Sequence, residues 1–170
     1  MKQGIHQHGY TLIELLLYVT LIGVLLSGVA VFFSVTTESR VKNQSISEVN
    51  DQGAATMEVM TQAVRSATGI SSPTVGITGS QLTLTVPTAS LNPIVFSVAS
   101  GVLQIKKGSA TALPLTNNDV RVTAFSITNL TRSGTTGIVQ INLTLQRLNT
   151  ANRNEYDYQR TFTTSVGVRP

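Results

Sequence analysis

The sequence predicts an α+β fold in which one long N-terminal helix packs on an antiparallel β-sheet. Residues 10–68 contain an apolar run and then a stretch with apolar residues at steps of three and four, the spacing of a helix with one buried face. Beyond Ser71 the chain changes to short runs in which apolar and polar residues alternate, as in strands with one buried face. A helix followed by a series of strands is typical of an α+β domain.

The apolar run is long enough to cross a membrane. It extends from Tyr10 to Val35, and residues 15–37 contain no Asp, Glu, Lys, Arg or Pro. A helix rises about 1.5 Å per residue, so about 20 apolar residues span a hydrocarbon core about 30 Å thick. We therefore predict a single-pass membrane helix. Because the polar body that follows contains every strand pattern, we expect a cytoplasmic N-terminus and an exported C-terminal head.

Glu14 is the one acidic residue within this apolar run. A carboxylate at the centre of a membrane helix costs about 2.5–3.5 kcal/mol on insertion scales, and less near the interface. Glu14 is therefore either an interfacial residue whose carboxylate reaches the lipid head groups or a residue that needs a partner.

The segment Gly9-Tyr10-Thr11-Leu12-Ile13-Glu14-Leu15 resembles the cleavage and methylation motif of type IV prepilins and pseudopilins: glycine, an aromatic residue, a small polar residue, two aliphatic residues and glutamate. In that family a prepilin peptidase cuts after the glycine on the cytoplasmic side and methylates the new N-terminal amine. The resemblance implies cleavage between Gly9 and Tyr10 and N-methylation of Tyr10. Most members have Phe at this position, and Tyr10 keeps the aromatic ring.

The same resemblance implies a role for Glu14 in assembly. After cleavage an ammonium group lies at Tyr10, and the Glu14 carboxylate can pair with the ammonium group of a neighbouring subunit at a dry interface. We expect this pair to set the axial register between subunits. Gly23 and Ser27 form a small-xxx-small pair that lets helices approach closely. The residues expected to pack between helices are Leu12, Ile13, Leu15, Gly23 and Ser27.

Four segments are expected along the chain: a leader at residues 1–9, a membrane and filament-core helix at 10–35, an amphipathic stalk helix at 36–70 and a β-rich head at 71–170. Gly69 is expected to cap the helix, because glycine is common just after a helix end. This layout resembles that of minor pilins and minor pseudopilins with larger heads. The apolar positions of the stalk are Ile46, Val49, Gly53, Met57, Met60, Val64 and Ala67. The expected strands are residues 81–86, 94–98, 102–106, 120–129, 138–148 and 160–168.

Candidate catalytic and metal-binding residues are few. His6 and His8 lie in the expected leader and the chain has no Cys, so the processed chain would lack the usual nucleophile–base pairs and zinc ligands. Glu155 and Asp157 are interpreted as a solvated pair in a loop rather than a glycosidase pair. Asn117-Asn118-Asp119 is interpreted as a polar turn rather than a calcium loop. We predict no enzyme activity, no cofactor and no bound metal.

A general secretory signal peptide is an alternative interpretation of the N-terminal segment. Gly28-Val29-Ala30 is a small-x-small triplet of the kind that precedes a signal peptidase site, and cleavage there would give a mature chain starting at Val31. The apolar run continues past this triplet, and Glu14 would fall within the apolar region of such a signal. Both observations favour the prepilin interpretation.

A second alternative is a membrane-anchored or secreted binding module whose β-rich head recognises DNA, carbohydrate or a surface. From Ala67 onward the chain has eight Lys or Arg residues and three acidic residues. These charges are scattered rather than clustered, so DNA binding is compatible with the net charge but unsupported by any pattern.

The expected function is that of a structural subunit, a minor pilin or pseudopilin, of a type IV pilus or a type II secretion pseudopilus. The expected partners are prepilin peptidase, other pilin or pseudopilin subunits and the cytoplasmic membrane. We expect the chain first in the inner membrane and then in a cell-surface or periplasmic filament.

Overall fold

The computed structural model describes residues 11–132, 134–150 and 152–169. The chain forms two compact units, Met1–Arg40 and Val41–Pro170. One long helix, α1 (Leu12–Ser66), begins in the first unit and ends in the second. This confirms the predicted helix, whose expected ends at residues 10 and 68 lie within two positions of the observed ones.

Nine strands follow within the described part of the chain, together with two short 3₁₀ turns at Ala89–Leu91 and Asn154–Tyr156. Six of the strands were predicted, and each observed end lies within one residue of the expected one. The other three contain two to four residues, which is too short for an alternating pattern to be recognised. The strands are β1 (Gly69–Ser72), β2 (Thr78–Gly79), β3 (Gln81–Thr85), β4 (Ile94–Ala99), β5 (Val102–Lys107), β6 (Leu113–Pro114), β7 (Val120–Asn129), β8 (Ile138–Arg147) and β9 (Gln159–Gly167).

The prediction that Gly69 caps the helix is wrong, because Gly69 begins β1. The helix ends at Ser66, and the next backbone groups already have other partners. The Ala67 N–H donates to the Val64 carbonyl at 3.2 Å, and the Thr68 N–H donates to the Thr85 carbonyl at 2.8 Å. The chain therefore passes from the last helical turn directly into pairing with β3, without a glycine turn.

The strands form two antiparallel sheets rather than the single sheet that the sequence predicted. The five-stranded sheet has the order β1-β3-β4-β5-β6, and the four-stranded sheet has the order β2-β7-β8-β9. The chain passes between the two sheets three times: between β1 and β2, at Ser80 between β2 and β3, and between β6 and β7. The predicted fold class, a long N-terminal helix packed on antiparallel sheet, is confirmed.

The core of the second unit lies between α1 and the two sheets. Of the apolar stalk positions, all are buried except Ile46, which is half-buried. Ser45 and Thr56 are buried beside them on the same stretch of helix. The largest fully buried side chains come from all three layers: Met60, Leu82, Leu84, Phe96, Leu103, Ile127, Ile141, Leu143 and Leu145.

α1 passes directly against β9 at Gly53. A Cβ atom at this position would overlap the ring of Phe162. Beside this contact, Arg160 Nη1 donates to Asn50 Oδ1 at 2.7 Å, and the Arg160 guanidinium lies 5.2 Å from the centroid of the Phe162 ring. The absence of a side chain at Gly53 therefore allows the aromatic ring to pack on the helix backbone.

Buried Asn129 fixes the connection between β1 and β2 to the end of β7. Its Nδ2 donates to the Pro73 carbonyl at 2.7 Å, and its Oδ1 accepts the N–H of Thr131 at 3.1 Å. Its backbone carbonyl accepts the N–H of Gly76 at 2.8 Å. A buried amide with both polar atoms paired holds two distant segments together without leaving an unsatisfied group.

Gly53→Ala should lower the free energy of unfolding by about 1–3 kcal/mol, because the added methyl group overlaps the Phe162 ring and the packed elements must shift. The measurement is a urea titration of the full chain in detergent micelles, followed by circular dichroism. Gly69→Ala is the matched control, since a Cβ there meets no atom within 4 Å. In a helix, Gly→Ala is otherwise stabilising by up to about 1 kcal/mol, so an unchanged or raised stability would contradict this packing.

Candidate functional site

The first unit presents an apolar helix surface that its own chain does not cover. All large apolar residues of α1 from Leu12 to Val35 are exposed; Val24 and Phe32, for example, are 71% and 70% exposed. By length and composition this part of α1 can cross a membrane, and none of its most apolar stretch is buried. A helix that is apolar on all sides needs lipid or other apolar helices around it.

The hydroxyl groups of this segment are satisfied within the helix. Thr20 Oγ1 donates to the Leu17 carbonyl at 2.9 Å, and Ser27 Oγ donates to the Val24 carbonyl at 2.8 Å. Ser34, Thr36 and Thr37 make the same kind of bond to carbonyls one turn earlier. Such bonds remove the need for water, which suits an apolar environment.

Glu14 lies in the first turn of α1. Its N–H donates to Thr11 Oγ1 at 3.3 Å, and the Leu15 N–H donates to the Thr11 carbonyl at 3.1 Å, so Thr11 caps the helix. The spacing Thr-x-x-Glu is that of a capping box. A carboxylate at this position also interacts favourably with the positive end of the helix dipole. These contacts place Glu14 at the start of the apolar surface.

The Glu14 carboxylate accepts a hydrogen bond from Tyr18, whose hydroxyl lies 3.2 Å from Glu14 Oε1. Glu14 is the one residue between positions 11 and 35 that is half-buried rather than exposed. Among the described residues, no Lys or Arg forms an ion pair with it. The site is therefore a carboxylate with a neutral hydrogen-bond partner at the start of an exposed apolar helix surface.

The sequence analysis did not identify Thr11 or Tyr18 as part of the site. A signal for each was present: Thr11 precedes Glu14 by three residues, as in a capping box, and Tyr18 follows Glu14 by four, which places both side chains on one helix face.

The other predicted site residues lie along the same helix. Leu12 is 79% exposed and Ile13 is 75% exposed. A Cβ at Gly23 would meet no atom within 4 Å, and Ser27 lies one turn further on. The Ser27 hydroxyl already donates to a carbonyl of its own helix. Ser27 would therefore favour helix packing through the small size of its side chain and not through a hydrogen bond to a neighbouring helix. The predicted cleavage and methylation residues, Gly9 and Tyr10, lie outside the described residues.

The segment Asn117-Asn118-Asp119 contacts α1 and β8. Asn117 Nδ2 donates to Glu48 Oε1 at 2.7 Å, and Asn117 Oδ1 accepts the Asp119 N–H at 3.0 Å. The Asp119 carboxylate pairs with Arg147 at 3.3 Å. These contacts of Asn117 and Asp119 fix the turn before β7.

Glu155 lies in the 3₁₀ turn and pairs with Arg153, whose Nη2 donates to Glu155 Oε1 at 3.0 Å. This hydrogen bond holds the pKa of Glu155 below its ordinary value. A carboxyl group with a lowered pKa is ionised at neutral pH and is a poor proton donor. Asp157 is exposed nearby.

A capped apolar helix that exposes a carboxylate and precedes a β-rich body defines a pilin-like class of protein. Residues 5–30 match the family model of the prokaryotic N-terminal methylation motif. The match is confined to this N-terminal segment; the motif is that of the type IV prepilin and pseudopilin family and supports a pilin-like precursor processed by prepilin peptidase. That family is structural rather than enzymatic, and the motif with the apolar helix fits membrane anchoring and filament assembly. No curated protein and no solved structure matches the chain.

Tyr18→Phe should change the environment of the Glu14 carboxylate while leaving the helix intact, because it removes only the hydroxyl that donates to Glu14. The measurement is the ¹³C chemical shift of the Glu14 side-chain carboxyl in the micelle-embedded chain, with backbone shifts as the check on helix content. Tyr156→Phe, in the 3₁₀ turn of the head, is the matched control and should leave the Glu14 signal in place. Equal Glu14 signals in both variants would rule out the hydrogen bond.

Proposed function

We propose that this protein is a structural subunit, a minor pilin or minor pseudopilin, of a type IV pilus or a type II secretion pseudopilus. The peptidase cuts between Gly9 and Tyr10, Tyr10 becomes the N-methylated terminus, and α1 then enters the filament. The observation that carries the proposal is the Glu14 carboxylate, held on an exposed apolar helix four residues after the expected new amine.

Glu14 acts in this proposal as the acceptor for the ammonium group of a neighbouring subunit. Tyr18 supplies a neutral hydrogen bond to one carboxylate oxygen, which lowers the cost of holding the charge near lipid before assembly. At the subunit interface, the ammonium group of Tyr10 from the neighbour neutralises that charge. Leaving one member of a buried pair alone typically costs about 3–5 kcal/mol, so a misregistered subunit is disfavoured.

The apolar surface supplies the packing but cannot by itself set the register. Lipid tails are as apolar as leucine, so helices that leave lipid for a filament gain little from the hydrophobic effect and depend on close packing. Leu12, Ile13 and Leu15 are exposed beside Glu14 and would pack around the ion pair. Gly23 and Ser27 would allow a neighbouring helix to approach further along.

The course of α1 favours this proposal over a cleaved signal peptide. The helix continues without interruption from Leu12 past Ala30 to Ser66. Cleavage after Ala30 would leave Phe32 and Phe33, which are both largely exposed, near the end of a chain without its anchor. The proposed topology has the N-terminus in the cytoplasm and the head exported, as peptidase cleavage on the cytoplasmic side requires.

Two arginines of the head are paired with acidic side chains, and these two positions do not favour the alternative of a nucleic-acid-binding module. Arg147 pairs with Asp119, and Arg153 pairs with Glu155. Each of these arginines is already near an acidic side chain that would repel phosphate. A phosphate-binding surface instead needs several unpaired cations on one face.

Mass spectrometry of the mature protein should find Tyr10 at the N-terminus with one added methyl group. The peptidase places the methyl on the amine that cleavage creates, so both modifications should appear together. Gly9→Leu should block both and leave the full-length chain in the membrane. A mature N-terminus at Val31 would show that signal peptidase, not prepilin peptidase, processes the chain.

Glu14→Ala should be processed normally but enter filaments at least about a hundredfold less efficiently, the factor that corresponds to about 3 kcal/mol. The measurement is the ratio of filament-associated to membrane-associated processed protein. Glu58→Ala is the matched control, because Glu58 is an exposed glutamate on the same helix. Incorporation of Glu14→Ala at the level of the control would overturn the proposed pairing.

A further inference from the structure

A cleft opens in the second unit where the two sheets diverge. β2 pairs with β7 only at Ile127 and Thr128. Towards the other end of β7, the Val122 N–H donates to the Gly101 carbonyl at 2.8 Å. Between these two points β7 has no partner strand on this side, and a bulge between Val122 and Ala124 breaks its pairing with β8. Bulges are frequent beside binding sites because they redirect side chains.

The cleft has a volume of about 340 Å³, which is at the lower end of the range for small-molecule pockets. Its walls come from the start of β3, the end of β4 and the bulged part of β7. The lining residues that carry the argument are Ser80, Gln81, Ser97, Val98, Ala124 and Phe125.

The lining is polar but uncharged, since none of its residues has an ionisable side chain. The hydroxyl groups of Ser80 and Ser97 have no hydrogen-bond partner within the described part of the chain. Val98 is 36% exposed and Phe125 is half-buried, so they add an apolar wall. Hydroxyl and amide groups beside an apolar wall complement a ring that has hydroxyls at its edge and C–H groups on its faces.

We propose that this cleft binds one pyranose unit of a neutral polysaccharide. An anionic ligand such as phosphate is disfavoured because the cleft offers no cation. A peptide strand is disfavoured by length: the unpaired part of β7, residues 123–126, spans only about 13 Å at about 3.3 Å per residue. Existing pairs at Gly79 and Gly101 close both ends of this gap.

The face of the four-stranded sheet beside the cleft offers fewer free polar groups than the cleft itself. Ala124 lines the cleft and lies opposite Thr144 on this face. Thr144 is buried and its Oγ1 lies 2.9 Å from Thr161 Oγ1, and Thr163 Oγ1 donates to Asn142 Oδ1 at 2.9 Å. Because these groups are already paired, the proposed binding site is the cleft alone. This inference does not depend on filament assembly.

The test is saturation-transfer difference NMR of the full processed chain in phosphatidylcholine nanodiscs, which contain no sugar. The probes are neutral hexasaccharides of glucose, mannose, galactose and N-acetylglucosamine, each up to about 10 mM, a range that detects weak binding. Heparin hexasaccharide and a six-residue extended peptide serve as charged and peptide probes. We expect a signal from at least one neutral hexasaccharide and none from the other two probes.

Ser97→Ile should reduce the affinity for that hexasaccharide at least about tenfold, because it removes a hydroxyl and fills the cleft. Ser109→Ile is the matched control, since it makes the same change at an exposed position after β5 that does not line the cleft. Gln81→Met is a second test that removes only an exposed amide from the cleft rim, and it should also weaken binding. The proposal is overturned if no neutral hexasaccharide binds, if heparin or the peptide binds instead, or if the cleft variants bind as well as the control.

Discussion

The apolar surface of α1 between Leu12 and Val35 must be covered, and the rest of the molecule depends on how this happens. Burying one large apolar side chain is worth about 1.5–3 kcal/mol relative to leaving it in water. This stretch exposes its apolar residues on every side. In the proposed function a membrane covers the surface first and neighbouring helices of a filament cover it later, so that one helix would serve both as anchor and as assembly element.

Glu14 gives this otherwise uniform surface a specific position. Contacts between apolar side chains allow many similar registers, because dispersion and burial have no direction. Thr11 caps the helix start at the Glu14 backbone N–H, and the Tyr18 hydroxyl donates to the Glu14 carboxylate, so this carboxylate has a fixed place on the helix. In the proposed filament this carboxylate would select the register in which a neighbouring amine lies beside it.

The apolar residues in the second half of α1, in contrast, are covered by other residues of the same chain. Val49, Met60 and Val64 are fully buried in the second unit. Gly53 lets the Phe162 ring pack on the helix backbone. The head therefore covers its own apolar core.

The sequence by itself determined the elements, because each follows from a local pattern: α1 from its apolar residues, the six longer strands from alternation, and the motif around Glu14 from its spacing. The tertiary structure decided those features that depend on contacts between residues far apart in the sequence. β2 pairs with β7, which lies about fifty residues away in the sequence. Gly69 lies in a strand because the preceding residue, Thr68, bonds to Thr85. The cleft exists only because the two sheets diverge next to Ser80. No local pattern contains such pairings, since their free energy comes from groups that only the folded chain brings together.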